Sequence, residues 1–217
     1  MNKLRQKTNS NTYYLTNWID ISLFEKPFET RHPLLSSNKF KILYSGNIGA
    51  KQDWDFFCKF INQLKDTSNI EVIVVGEGAE KEKIVSKLKS FSFVKHHNLV
   101  PFNELPHLLS SADLHVLFQK SEVIDTVMPS KLLGMMASGK PSIVTGNFKS
   151  EVATIFKESK AGYYFDGNSV NQIIEHVNLL LSNEKLRKQF GDNAKNYVKV
   201  KFSQKEVLDN FIDELIN

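Results

Sequence analysis

Three short segments of this chain gather residue types that handle anions. The first, Ser45-Gly46-Asn47-Ile48-Gly49-Ala50-Lys51-Gln52, follows an apolar run, and its two glycines permit close backbone approach just before a helical pattern opens at Asp53. Such a loop either cradles a phosphate or serves as a plain structural turn. The second is Gly76-Glu77-Gly78, in which Lys81 stands where a dinucleotide fingerprint would carry its third glycine, so that fingerprint is disfavoured. The third is the irregular stretch 119–128 followed by Pro129-Ser130-Lys131. Proline suits the first helical position, which leaves the N–H groups of Ser130 and Lys131 at the positive end of a helix dipole. A serine hydroxyl and a lysine ammonium beside those N–H groups suit a diphosphate. The plainer alternative is an exposed helix start with a solvated lysine.

Other patterns fail on context. The run from Gly134 to Lys140 spells most of a P-loop, but Pro141 replaces the Ser or Thr and the helix precedes the glycines, which argues against an NTPase. Asp53-Trp54-Asp55 has the spacing of a metal-binding D-x-D, yet it falls in a first helical turn, where aspartates cap and complement the dipole. His96 and His97 close a strand and point to opposite faces, so one of them at most lines a cleft. Cys58 sits in the apolar stripe of Trp54, Phe57, Ile61 and Leu64 and reads as core filler. No Ser/His/Asp or Cys/His constellation has a legible spacing.

The elements that must position these loops alternate regularly. Strand patterns at 41–44, 71–75, 93–97, 114–118, 142–145 and 163–165 are separated by helical patterns at 53–66, 79–89, 104–110, 129–138 and 150–158. Helical patterns at 170–181, 184–197 and 204–216 follow. This order predicts an α/β fold: a Rossmann-like, mainly parallel sheet of about six strands flanked by helices, with a C-terminal helical tail. In such a sheet ligands bind beyond the carboxyl ends of the strands, where all three loops lie.

Residues 1–38 read as a lead-in and linker, with Pro27, Pro33 and Ser36-Ser37-Asn38 marking a connecting loop over 25–38; the α/β domain is expected over 39–217. With 217 residues, 41% hydrophobic and 24% charged, the chain is an ordinary globular one. No apolar run reaches the roughly 18 residues of a membrane span. The basic N-terminus lacks the apolar run of a secretory signal, so a cytoplasmic location is expected. A net charge of +4 with lysines spread throughout favours anionic partners without indicating nucleic acid.

In order and spacing these segments resemble the C-terminal domains of GT-B glycosyltransferases of family 4, particularly bacterial polysaccharide and O-antigen enzymes related to fucosamine transferases. Asn17-Trp18-Ile19-Asp20 is similar to the family's interdomain I-P-N-G-V-D, with Trp18 in place of the glycine. Residues 41–52 resemble its first strand and glycine loop, 74–78 its V-G-x-G, and 100–113 its turn, E-L-P and A-D pattern. The most specific match is Met128-Pro129-Ser130-Lys131-Leu132, continued by Met136-Ala137-Ser138-Gly139-Lys140-Pro141. Two glutamates that many members carry fall on Thr126 and Gly134, and the usual basic pair of the first loop falls on Asn47 and Gln52, with Lys51 adjacent.

The resemblance implies half of a GT-B fold that binds a nucleotide-diphosphate sugar, UDP-linked, for transfer to a cell-surface polysaccharide or lipid-linked acceptor. The donor site is expected at Gly46, Asn47, Gly49, Lys51, Gln52, Glu77, Leu99, Thr126, Ser130 and Lys131, with Lys131 as the leading phosphate contact. It needs no cofactor or metal, since helix dipoles and lysine meet the charge. The acceptor and the catalytic base belong to an N-terminal domain or a separately encoded partner, through which the complete enzyme can sit at the inner face of the membrane. The final helix is expected to expose an apolar surface towards that half. Transfer by this chain unaided is not expected. Two alternatives stay open: a non-catalytic nucleotide-sugar-binding or regulatory module, and part of a GT-B-type UDP-sugar epimerase.

Overall fold

The computed structural model describes residue 13 and residues 15–123, 130–167 and 169–216. Six strands form one sheet: β1 (Phe40–Ser45), β2 (Ile70–Val75), β3 (Val94–His97), β4 (Leu114–Phe118), β5 (Ser142–Thr145) and β6 (Gly162–Phe165). Their order is β3-β2-β1-β4-β5-β6, and every neighbouring pair is parallel. The order reverses between β1 and β4, so the chain leaves the sheet in opposite directions there and opens a crevice at the carboxyl edge. Strands β2 and β4 are buried along their whole length and β1 nearly so, whereas the edge strands β3 and β6 are half-buried. That is the pattern expected of a parallel sheet covered on both faces.

The covering helices among the described residues are α1 (Trp54–Leu64), α2 (Lys81–Leu88), α3 (Leu105–Ser110), α4 (Ser130–Ala137), α5 (Glu151–Ser159), α6 (Val170–Ser182), α7 (Glu184–Lys201) and α8 (Gln204–Ile216). Helix α1 begins where the Asp53 carboxylate accepts from the Phe56 N–H at 2.9 Å. Its apolar side buries Trp54, Phe57, Phe60, Ile61 and Leu64, and the Phe56 and Phe60 rings each lie 5.2 Å from Phe118 on β4. Helix α7 continues four residues past the expected stop at Tyr197, because Val198 is still buried and Lys199 and Lys201 complement the negative end of the helix.

Segment 25–38 is more anchored than a connecting loop. It forms a 3-10 turn at Pro33–Leu35, buries Leu35 fully, and binds β4's approach through Arg31, which pairs with both oxygens of Asp113. Further back, Ile19 pairs with Ser203 between α7 and α8: its N–H donates to Phe202 and its carbonyl accepts from Gln204. Helix α8 buries only Val207 and leaves Ile212, Leu215 and Ile216 exposed. Among the described residues no helix is long and apolar enough to cross a membrane.

Two buried polar features hold the interior. At the amino edge of the sheet, Lys41 and Glu71 are direct partners in the β1–β2 register and pair at 2.9 Å, with Lys95 on the other oxygen of Glu71 at 2.6 Å. Burial alone would raise the Glu71 pKa, but hydrogen bonds from Lys95, Lys41 and Ser37 outweigh it and hold it at about 2. Between β4 and α4, the fully buried His115 meets Ser138 at 3.0 Å. The Ser138 hydroxyl donates to the Met135 carbonyl, so it accepts from His115 Nε2–H and leaves Nδ1 without a partner. A proton on Nδ1 would be a desolvated charge; burial pushes the His115 pKa down to about 3, with Lys140 adding to the effect.

Linkage then sets the response to acid. A folded-state pKa of about 3, below the unfolded 6.5, means stability is intact above pH 6.5 and falls as pH drops towards 3. The loss should approach about 1.4 kcal/mol per pH unit within that window. His32 and His97, also lowered by burial, act in the same direction. The lowered Glu71 adds its own loss only below about 4.5. Urea midpoints measured from pH 7 to pH 5 should decline in the wild type and decline less steeply in His115→Gln; equal slopes would assign the acid sensitivity elsewhere.

Candidate functional site

At the carboxyl edge three loops are fused by backbone bonds. The Gly46 N–H donates to Val75 at 2.8 Å, the Ile48 N–H to Glu77 at 2.7 Å, and the Glu80 N–H to Ile48 at 3.0 Å, so the loop after β2 is stitched to the loop after β1. Across the switch point, Gln52 forms an antiparallel bridge with Gln119, the Asp53 N–H donates to Phe118, and the Lys120 N–H donates to Lys51. The glycines make this approach feasible. A Cβ at residue 76 would lie 2.2 Å from the Gly46 carbonyl oxygen, and Gly46 has φ +122°, a value that L side chains rarely adopt.

Lys131 enters this rim from the first turn of α4. Its ammonium donates to the Tyr44 hydroxyl at 2.8 Å and lies 4.4 Å from the centre of that ring. Its Cε occupies the space beside Gly46, only 2.6 Å from where a Cβ would stand. Burial pulls the Lys131 pKa down to about 8. Tyr44, the penultimate residue of β1, is buried against Trp54 and donates to the Asn47 carbonyl at 2.6 Å. Burial also pushes its phenol well above the ordinary value, so it stays neutral.

The residues singled out from sequence therefore fall into distinct settings. Gly46 and Lys131 meet at one point, the Asn47 carbonyl is tied to it through Tyr44 while the Asn47 side chain lies against Gly49 and Gly78, and Ser130 is exposed at the start of α4. Gly49 and Gln52 serve the loop itself: the Gly49 N–H donates to Gln52 Oε1 at 3.1 Å, and the Gly49 carbonyl accepts from Trp54 Nε1 at 2.9 Å. Lys51 is exposed and bound through its carbonyl to Lys120. Glu77 is held by Lys81 at 2.9 Å, and Lys81 also reaches Asn98, next to the exposed Leu99 on the turn after β3. Thr126 lies outside the described residues, as does Pro129.

His96 reaches the Gly76 carbonyl at 3.1 Å, which makes it a brace for the glycine loops, while the other histidine of the pair, His97, has a buried Nε2 without a partner. Asp53 caps α1 and Asp55 pairs with Lys87 at 3.0 Å, so the D-x-D spacing does not converge. Among the described residues no cluster of three metal-ligating side chains is present. Sequence reading missed Tyr44, which looked like an ordinary strand residue, and Lys120, which the Gln52–Gln119 bridge brings beside Lys51. The usable signal for Tyr44 was a phenol at the carboxyl end of a central strand, an amphipathic group where a strand meets the ligand edge.

Residues 25–197 match the family described as Glycosyl transferases group 1. The chain belongs to this family. It is 28% identical over 228 residues to a putative colanic acid biosynthesis glycosyl transferase, WcaI, of Escherichia coli K12, covering 99% of this chain and 54% of that protein. The chain spans about half the length of the first curated relatives it matches. In fold it is similar to the C-terminal domain of the group 1 protein LpcC from Francisella tularensis, with TM-score 0.68 and 21% identity, covering 86% of this chain and 99% of that one. It is also similar to Anabaena Alr3699/HepE in complex with UDP-glucose, with TM-score 0.72 and 14% identity, covering 91% and 55%. The Rossmann-like half of the GT-B architecture expected from sequence is the observed fold.

The two glycines at the loop junction should respond differently to a methyl group. Gly46→Ala meets the movable end of Lys131 and a strained φ, and should cost about 1 to 2 kcal/mol. Gly76→Ala drives Cβ into a backbone carbonyl and should cost about 3 kcal/mol or more. Urea unfolding of both variants distinguishes these outcomes, and equal losses would contradict the junction described.

Proposed function

We propose that this chain is the donor-binding half of a glycosyltransferase that moves a sugar from a UDP-linked donor to a polysaccharide or lipid-linked acceptor, without a metal. The observation that carries the proposal is the Lys131 ammonium, half-buried at the topological switch point and, among the described residues, facing no carboxylate. A desolvated cation beside the N–H groups of a helix start and a glycine loop is an arrangement that favours a diphosphate. The UDP-glucose held by the Anabaena protein of like fold supports a uridine nucleotide, and colanic acid biosynthesis in the WcaI description supports a cell-surface polysaccharide. The finer likeness to fucosamine transferases rests on the Pro129-Ser130-Lys131 segment and its continuation.

In this reading the acceptor site and the catalytic base come from a second half outside these 217 residues, bound in part through the exposed Ile212, Leu215 and Ile216 of α8. That complete enzyme would work at the inner face of the membrane. The isolated chain should bind the nucleotide weakly and transfer nothing.

Calorimetric titration with UDP and UDP-glucose tests the proposal. A charge-assisted contact is worth about 1.5 to 3 kcal/mol, so Lys131→Ala should weaken binding roughly ten- to a hundredfold. Lys140→Ala, at the opposite end of α4, should leave affinity unchanged, and so should a chelator. Equal affinities for folded wild type and Lys131→Ala would remove Lys131 from the site, and efficient turnover by the chain alone would overturn the division into halves.

A further inference from the structure

We propose that Tyr44 is a positioning residue for the donor site: its hydroxyl and ring hold the Lys131 ammonium against the backbone at Gly46, so that an arriving diphosphate meets a cation already aimed. This rests on the donor-site reading above and adds to it how the lysine is set.

The geometry leaves the pair one arrangement. The Tyr44 hydroxyl hydrogen is committed to the Asn47 carbonyl, so towards Lys131 the oxygen can only accept. Lys131 thereby spends one of its three N–H donors on Tyr44, and the other two have no acceptor among the described residues. Its stem cannot swing deeper, because Cε already fills the gap that the missing Cβ of Gly46 leaves. Tyr44 in turn cannot give way. It is buried on β1 with the Trp54 ring 4.9 Å and the Phe57 ring 6.2 Å away, both from α1. A lysine held in this way loses little side-chain freedom when a ligand arrives, which is where preorganisation gains affinity.

Among the described residues the groups that face the ammonium are few. From β1 it meets Tyr44, whose phenol stays neutral, and from the loop after β1 it meets Gly46. Among the described residues burial alone lowers its pKa, to about 8, with no ionised side chain acting on it. A bound diphosphate restores the charged state. Above about pH 8 binding must therefore take up a proton, and UDP affinity should weaken about tenfold per pH unit from that break upward.

Tyr44→Phe keeps the ring and the packing but removes the acceptor. UDP titrations from pH 6.5 to 9.5 should show two changes in this variant: a roughly three- to tenfold weaker Kd at pH 7, and a break at lower pH, because the charged amine has lost the oxygen that favoured it. In a Lys131→Ala background the break should vanish and Tyr44→Phe should have no further effect. The loop offers a rival explanation, since Tyr44 also holds Asn47. If Tyr44→Phe weakens binding by the same factor with or without Lys131, or leaves the break unmoved, Tyr44 acts on the loop alone and the proposal falls. If wild type binds neither UDP nor UDP-glucose at any pH, the donor-site reading falls and takes this one with it.

Discussion

The carbonyl oxygen of Gly46 occupies the place where residue 76 would carry a Cβ, and the carboxyl edge of the sheet depends on that approach. Because the two segments touch backbone to backbone, the loops after β1 and β2 share hydrogen bonds that would otherwise need water or ligand. The Gly49 N–H and carbonyl are satisfied by Gln52 and Trp54, and the Asn47 carbonyl by Tyr44. The rim is thus braced from within, and among the described residues what it presents outward is a short set of groups, chiefly Lys131, the start of α4 and the exposed Lys51. Rigid backbone with few uncommitted donors is the setting in which one lysine can matter to binding.

The opposite edge is organised by charge. Lys41 and Glu71 are buried register partners on β1 and β2, and Lys95 closes the group from β3. Burying such a pair adds little net stability, because desolvation offsets most of the attraction. It does discriminate between registers. A slip of one residue between β1 and β2 would separate the partners and leave the two charged side chains on opposite faces of the sheet. Three strands on one side of the switch point are therefore aligned by ions, while their far ends are aligned by glycines.

The alternation of strands and helices was legible in the sequence because each buried parallel strand is a short apolar run and each covering helix carries an apolar stripe. β4, β5 and α8 were read to the residue, and several ends of the other elements were off by a few residues where capping or a last buried side chain decides. The 3-10 turn at Pro33–Leu35 was not legible, since Leu35 and Arg31 gain their structure from distant partners. In the site, the glycine loops and Lys131 could be named from local chemistry. Their distribution between scaffold and ligand-facing roles could not, because Gln52 and Gly49 bind each other, and Tyr44 meets a residue 87 positions away. Pairings at that separation leave no periodic trace.

The bridge between Ile19 and Ser203 has a mechanical meaning. It ties the segment leading into the domain to the junction of the last two helices, so the incoming and outgoing chains run side by side. Any body attached through both would be held at one short bridge, whose two hydrogen bonds would be loaded in shear by a pull along the chain.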